Sequence, residues 1–323
     1  MCYTYIQAGD KMEKQKHMTS IGGSAVMEGV MMRGPKEIAT AVRKPDGEIE
    51  IDKRAVSSLV TKYHVNKIPI IRGVFAFFDS MICSIRSLMW SAEFFDTEED
   101  SAKESKFDKW LDDKFGDKVK DIVIYFSVFV SLIFSIGLFF LLPNLVVGFV
   151  GKYIHGNAVK SLLEGVIRIA IFLGYILLVS RMEDIKRVFQ YHGAEHKTIF
   201  CYEAGLPLTV ENARTMPRLH PRCGTSFLVF VMVISIVLFS FISWDNMLTR
   251  LGLRLLLLPV VAGLSYEIIR WAGRSQNIVV RAISKPGMWI QKITTREPDD
   301  SQLEVAIASM KAVITGNKED DKW

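Results

Sequence analysis

Two stretches of the chain, Ile122 to Gly151 and Cys223 to Trp244, carry no charged side chain at all. Each exceeds the roughly 20 apolar residues that a helix needs to cross a bilayer. The pattern predicts a mainly α fold, a polytopic helical membrane protein with about four transmembrane helices. The first is expected over about Ile122 to Leu142, stopped near Pro143-Asn144. A second is expected over about Ser161 to Ser180, with Glu164 and Arg168 one turn apart, a spacing that allows an internal ion pair close to lipid. A third covers Thr225 to Ser243. The fourth, about Leu251 to Ile269, carries Arg254 and Glu267 and is interrupted by Pro259 and Gly263.

Outside these spans the pattern changes period. Ile68 to Phe95 is strongly apolar, yet Arg72, Asp79, Arg86 and Glu93 recur every seven residues and line one narrow stripe of a helix. That is an amphipathic helix at the membrane interface, with a spanning helix as the alternative. Asp96 to Asp121 mixes charges of both signs but keeps Phe107, Trp110, Leu111, Phe115 and Val119 on one helical face. Residues 1 to 20 are polar, with no leader-like apolar segment, and read as a poorly ordered start. From Gly22 to Pro35, four glycines and a proline in fourteen residues mark a backbone that turns or approaches something closely. Ile38 to Arg43 and Glu48 to Lys53 flank Pro45-Asp46-Gly47 and predict a small N-terminal β-hairpin. Near the C-terminus, Thr295 to Asp300 reads as a helix start, followed by Leu303, Ile307, Met310 and Ile314 on one face.

At 323 residues the chain would make two ordinary soluble domains at roughly 150 residues each, but the segregation of apolar from polar positions argues otherwise. Mean hydropathy is +0.22 although the apolar (50%) and charged (23%) fractions are ordinary. The net charge of +5, with no basic run interleaved with aromatics, is no nucleic-acid footprint. Cys2, Cys83, Cys201 and Cys223 lack framework spacing, which excludes a disulfide-stapled fold.

The connections 143–160 and 244–250 hold two and one Lys/Arg, whereas 181–224 holds seven. The positive-inside rule therefore puts both termini and the middle loop in the cytoplasm. Three regions follow. Residues 1–120 form a cytoplasmic N-terminal region with the Gly-rich motif, the hairpin and interfacial helices. Residues 121–270 form the four-helix membrane domain with its middle loop 181–224. Residues 271–323 form a cytoplasmic tail with an amphipathic helix. The lipid bilayer is the one partner this pattern names, and self-association into a homo-oligomer is left open.

Candidate chemistry collects in the middle loop, in Tyr191-His192-Gly193-Ala194-Glu195-His196-Lys197 and His220-Pro221-Arg222-Cys223-Gly224. On a helix His192 and His196 share a face, with Glu195 beside them. This H-x-x-E-H order lets two imidazoles hold Zn²⁺ while the carboxylate polarises a water. His220 and Cys223 could add a third and a fourth ligand, and Glu203 and Glu267 are rivals for the third. Three ligands make an open, catalytic site and four a closed, structural one. The same histidines also fit simple hydrogen bonding at a membrane surface. Met27, Met31 and Met32 could bind a soft metal or pack beneath the glycine-rich turn. Glu28 and Arg33 could pair with each other or reach the loop site.

These motifs, together with Gly22-Gly23-Ser24-Ala25-Val26-Met27-Glu28-Gly29, Ala262-Gly263-Leu264-Ser265-Tyr266-Glu267 and Thr295-Arg296-Glu297-Pro298-Asp299-Asp300, resemble the YqhQ-like family of bacterial inner-membrane proteins, a family of unknown function. The resemblance runs from about Ile21 to Ile314. It implies a location in the cytoplasmic membrane of a bacterium and a description as a metal-dependent enzyme resting on the same His, Glu and Cys residues. The reading is a zinc hydrolase with His192, His196, His220 and Cys223 as the candidate ligands and Glu195 as general base. Its alternatives are a scaffold or assembly factor stapled by a closed His/Cys site, and a transporter using Glu164, Arg168, Arg254 and Glu267.

Overall fold

The structure, a computed structural model, describes residues 17–57, 59–65, 67–95, 119–154, 156–242, 246–274 and 278–322. The chain divides into two compact units. One comprises Met1–Glu93, Ile176–Ile234 and Leu258–Trp323; the other comprises Phe94–Tyr175 and Ser235–Leu257. The helices in chain order are α1 (Leu59–Lys62), α2 (Ile71–Ala92), α3 (Val119–Ile136), α4 (Leu142–Val150), α5 (Asn157–Val179), α6 (Glu183–Glu203), α7 (Val210–Arg214), α8 (Gly224–Phe239), α9 (Met247–Arg274), α10 (Ile278–Thr294) and α11 (Asp300–Val313). The surface helix expected over Asp96 to Asp121 lies almost wholly outside the described residues.

The first unit is built on an antiparallel sheet in the order β1-β2-β3-β4: β1 Gly22–Val26, β2 Gly29–Arg33, β3 Glu37–Arg43 and β4 Ile49–Ala55. The hairpin expected around Pro45-Asp46-Gly47 is β3–β4. Gly47 takes φ 89°, and Asp46 Oδ1 accepts the Glu48 N–H at 2.9 Å, a turn closed by its own side chain. The glycine-rich run is itself a hairpin, β1–β2, turning at Met27-Glu28 with Glu28 at φ 47°. Neither residue is a usual hairpin-turn residue, which is why sequence offered a turn but no strands.

The pleat sorts the strands into two faces. Val30, Met32, Ala39 and Ala41 point into the main core with Tyr191 and Ala194 of α6 and Leu303, Val305, Ala306 and Met310 of α11. The opposite row is polar and meets α2: Ser24 Oγ lies 3.4 Å from Ser84 Oγ, Thr40 Oγ1 lies 2.9 Å from Ser87 Oγ, and Arg33 pairs with Asp79. β2 is buried from Gly29 to Met32 because it is covered on both faces. Met31 and Met32 pack inside while Met27 is exposed.

Helix α6 starts with Glu183 and Asp184 in its first turn, where carboxylates complement the helix dipole, and stops ahead of Gly205 at φ 72°. Helix α11 begins with the reciprocal capping box of Asp299 and Gln302, so the helix start falls where the sequence placed it, with Leu303, Ile307 and Met310 buried. The chain's start is tied down rather than loose where it is described. Thr19 bridges to Lys322 and donates its N–H to Glu203 Oε1 at 2.9 Å, and His17 Nε2 lies 2.8 Å from Asp321 Oδ1.

Among the described residues, four helical segments are long and apolar enough to cross a membrane: Ile71–Ala92, Phe126–Val150, Asn157–Val179 and Met247–Trp271. The number matches the sequence expectation, but the membership differs. Pro143 does not end the first expected span. The chain takes a π-helical turn at Gly137–Leu141 and starts α4 with Pro143 in its first turn, where the missing N–H is harmless. Helix α8, expected to span, has 16 residues, about 24 Å against the roughly 30 Å of hydrocarbon. Helix α2 qualifies instead by length and composition.

In the second unit Glu164 and Arg168 make the internal pair expected from their spacing, at 2.7 Å, and Arg254 joins the same Glu164 oxygen at 2.5 Å. Arg168 also donates to the Phe139 carbonyl and Ser235 Oγ, and Arg250 to Asn144 Oδ1. The charges near the apolar helices are thus neutralised or hydrogen-bonded within protein.

Candidate metal centre

Helix α6 carries His192 and His196 one turn apart, with ring centroids 4.4 Å from each other. The turn His220-Pro221-Arg222 then delivers Cys223 immediately before α8, its N–H bonded back to the His220 carbonyl at 3.3 Å. The ligating atoms of His192, His196 and Cys223 all lie within 4.8 Å of one another, with His192 Nε2 3.2 Å from Cys223 Sγ. A tetrahedral ion with Zn–N near 2.0–2.1 Å and Zn–S near 2.3 Å holds its ligands roughly 3.3–3.6 Å apart, which the 3.2 Å between His192 Nε2 and Cys223 Sγ approaches.

Both imidazoles are oriented from behind. His192 Nδ1 faces the Thr294 carbonyl at 2.9 Å and His196 Nδ1 faces the Arg218 carbonyl at 2.6 Å. A carbonyl only accepts, so each Nδ1 carries a proton and each Nε2 is the nitrogen turned inward. Cys223 Sγ accepts the Thr225 N–H at 3.4 Å at the start of α8, a setting that favours thiolate.

Two buried atoms here have no hydrogen-bond partner: His196 Nε2 and Glu195 Oε2. Glu195 Oε1 accepts the Gly23 N–H at 3.1 Å, and glycine is required there because a Cβ would fall 2.2 Å from the Met31 carbonyl oxygen. Burial pushes the Glu195 carboxyl above the usual range. Burial also works to raise the Cys223 thiol, but His196 and His192 overcome it and hold Cys223 well below the usual thiol range. For His192 burial works downward, and the Cys223 thiolate reverses it, bringing the imidazole up to about 9. In the metal-free protein His192 therefore holds a proton against the Cys223 sulfur, and a cation that displaces it would meet two imidazole nitrogens and an anionic sulfur, the donor set of a soft or borderline ion.

The other sequence candidates go elsewhere. The His220 ring lies 5.6 Å from the His196 ring and 4.5 Å from Phe200, with its Nε2 3.7 Å from Glu203 Oε2. Burial lowers its pKa to about 4. Gln291 of α10 clamps the His220 backbone at both N–H and carbonyl, each at 2.8 Å. Glu203 is taken by Thr19, Arg222 and His220, and Glu267 by Arg72. Glu28 pairs with Arg187 and bonds Tyr191 rather than pairing with Arg33.

A cavity of about 240 Å³ opens on the centre, walled by Glu195, His196 and Cys223, by Gly22, Gly23 and Arg33 of the sheet, and by Ser80, Cys83 and Ser84 of α2. Sequence reasoning missed the contributions of α2, Gln291 and the two orienting carbonyls. Backbone acceptors have no residue signature, and only the serine spacing of α2 could have pointed to a polar helix face.

The sheet-bearing unit and the apolar helices define a mainly helical protein that carries a His/Cys/Glu cluster beside a cavity. The chain belongs to the family described as protein of unknown function DUF1385, which matches residues 68–316. It is also similar to the uncharacterized protein YqhQ of Bacillus subtilis (strain 168), at 35% identity over 310 residues, 94% of this chain and 95% of that one. No solved structure matches it.

Proposed function

We propose that this chain is a metal-dependent hydrolase of the bacterial cytoplasmic membrane, with zinc held by His192 Nε2, His196 Nε2 and Cys223 Sγ and with Glu195 as general base. The observation that carries the reading is the pair of buried, unpartnered atoms, His196 Nε2 and Glu195 Oε2, on the wall of a cavity. When bound, zinc supplies a Lewis acid that makes water a nucleophile near neutral pH. The chain's own residues do the remainder. The Thr294 and Arg218 carbonyls fix the imidazole tautomers. The Gly23 N–H anchors one oxygen of Glu195 and leaves the other to take a proton from the attacking water and return it to the leaving group.

Three protein ligands leave a position for chemistry, whereas a fourth would close the site. His220, the residue able to close it, is held by Gln291 and faces Glu203, which favours the open count over a structural staple in a scaffold. The seven Lys/Arg of residues 181–224 support a site on the cytoplasmic side. The test is zinc content and ligand access in detergent-purified protein. About one zinc per chain is expected, absent from the His192→Ala/His196→Ala double variant and retained in Glu195→Gln. A small hydroxamate should raise the melting temperature of the zinc form only. Absence of zinc after reconstitution, or a zinc form indifferent to hydroxamate, overturns the reading.

A further inference from the structure

Helix α2 has two unlike faces. Gly73, Ser80, Ser84, Ser87 and Ser91 form one stripe at helical spacing, turned to the sheet, the cavity and the end of α9. The opposite stripe is apolar and uncovered: Phe78, Met81, Ile82, Ile85, Leu88 and Met89 are each 39–48% exposed. The helix also lies against two apolar helices. The Phe77 ring stacks on Phe227 of α8 at 5.5 Å, and a Cβ on Gly73 would meet Tyr266 Cβ at 2.8 Å and the Gly263 carbonyl at 2.9 Å in α9. The apolar stripe is therefore continuous with helix surfaces of membrane character, while its polar stripe is committed to the sheet. A helix at a membrane interface has this division, one face committed to protein and an apolar face turned to lipid.

The cavity behind α2 completes the picture. At about 240 Å³ it is smaller than the roughly 300–1,000 Å³ that encloses a drug-sized ligand, so it takes a small polar head and leaves the rest outside. Its wall brings the guanidiniums of Arg33 and Arg222, the latter paired with Glu203, beside the Glu195 carboxyl and the Cys223 sulfur, with the hydroxyls of Ser20, Ser80 and Ser84 as further donors. Asp79 occupies one terminal nitrogen of Arg33, whose side chain is 28% exposed; a guanidinium has five donors and matches phosphate geometry.

We propose that the site receives an anionic amphiphile, a phospholipid-like molecule whose phosphate head enters the cavity from beneath α2 while its acyl chains remain in the bilayer along that helix's apolar face. The hydrolase reading supplies the chemistry such a head would meet, but the binding stands on the cavity and on α2 alone.

The experiment uses full-length protein in nanodiscs containing a head-group photoreactive phosphatidylglycerol or the matching phosphatidylcholine, with adducts located by peptide mass spectrometry. The anionic probe should label peptides carrying Gly22–Arg33 and Ser80–Ser84, with phosphatidylcholine labelling them weakly. Arg33→Gln should lower that labelling about tenfold, the loss of one charge-assisted contact. Ile82→Gln/Ile85→Gln, on the exposed stripe and outside every packing contact named above, should lower it without changing the melting temperature. Equal labelling by both probes overturns the anionic head, and adducts confined to 126–150, 157–179 and 247–271 overturn entry at α2. The labelling is repeated on zinc-stripped protein, so that persistence there keeps the lipid site even if zinc content or hydroxamate binding defeats the hydrolase reading.

Discussion

Glu195 and Glu203 sit on the same helix, both buried, with opposite surroundings. At the Glu203 end the protein supplies every counterpart: the Thr19 N–H, the Arg222 guanidinium and the His220 ring converge on the carboxylate. Burial works to raise this carboxyl, but those partners hold it below the usual range. At the Glu195 end one oxygen has the Gly23 N–H, the other has nothing, and burial prevails. The Glu203 carboxylate is met by cationic and hydrogen-bonding partners of the chain itself, and in the other unit Arg168 and Arg254 both pair with one oxygen of Glu164. The Glu195 cluster gathers two imidazoles and a thiolate around a carboxyl oxygen that has no partner, the arrangement the proposed zinc would use.

The sharpest way to break this contrast is to remove a ligand. Cys223→Ala or His196→Ala should reduce zinc from about one per chain to a trace, since a structural or catalytic zinc site of three ligands does not survive the loss of one. Glu203→Gln should leave zinc in place. Retention of zinc by the ligand variants, measured by elemental analysis after dialysis, would put the two clusters in the same class.

Stability should run the other way. Glu203→Gln leaves Arg222 buried without its carboxylate and should cost about 3–5 kcal/mol in a denaturant titration, the usual penalty for breaking a buried pair. Glu195→Gln in zinc-free protein replaces a carboxyl that burial already pushes towards its neutral form, so it should cost far less than Glu203→Gln. Equal losses from both substitutions would show that Glu195 has a structural partner after all.

How far the sequence could foresee this contrast depends on residue chemistry. The H-x-x-E-H order on one helix, the Cys223 that joins it and the Glu164–Arg168 pair are side-chain patterns with fixed helical spacing, and each was legible. So was the β3–β4 turn, because Asp46 and Gly47 each have a local reason to be there. His220 and Cys223 sit on a turn rather than a helix, so spacing could not tell that they point to different neighbours. The β1–β2 hairpin was hidden by glycines and methionines that give no alternation. Helix α2 was legible as amphipathic, but only tertiary structure shows that its serines face the cavity beside Glu195.

Acid should separate the two ends by sign. His220 is kept neutral by burial, with a pKa of about 4 against 6.5 ordinarily. As pH falls from 6.5 towards 4 the unfolded chain takes up this proton before the native one, so stability falls across that window, by up to about 3 kcal/mol. Glu203 acts in the same direction, since a lowered carboxyl loses its contribution as pH falls. Glu195, raised in the zinc-free protein, contributes oppositely: its share is present in acid and lost as pH rises through its folded value. Melting temperatures of zinc-free protein between pH 4 and 6.5 should therefore slope upward with pH, less steeply in His220→Gln. An unchanged slope in that variant would assign the acid sensitivity to other groups.

The smallest change tests the orienting carbonyls. Gly193, next to His192 in the chain, packs so closely on the Arg296 carbonyl that a Cβ would overlap it. Two residues earlier in that same segment the Thr294 carbonyl holds His192 Nδ1. Gly193→Ala therefore pushes on the strand of backbone that sets the imidazole while leaving all three ligands and Glu195 in the chain. Overpacking of this kind costs about 1–3 kcal/mol of stability, and displacing a partner behind a metal-bound histidine typically weakens binding about 10–100-fold. A competition titration against a zinc-binding dye reads the second effect separately from the melting temperature. Weaker zinc with His192 still bound, rather than lost as in His192→Ala, is the expected result. Unchanged affinity despite lower stability would mean that the carbonyl packs against His192 without orienting it, and that the incomplete cluster around Glu195 is less preorganised than its hydrogen bonds suggest.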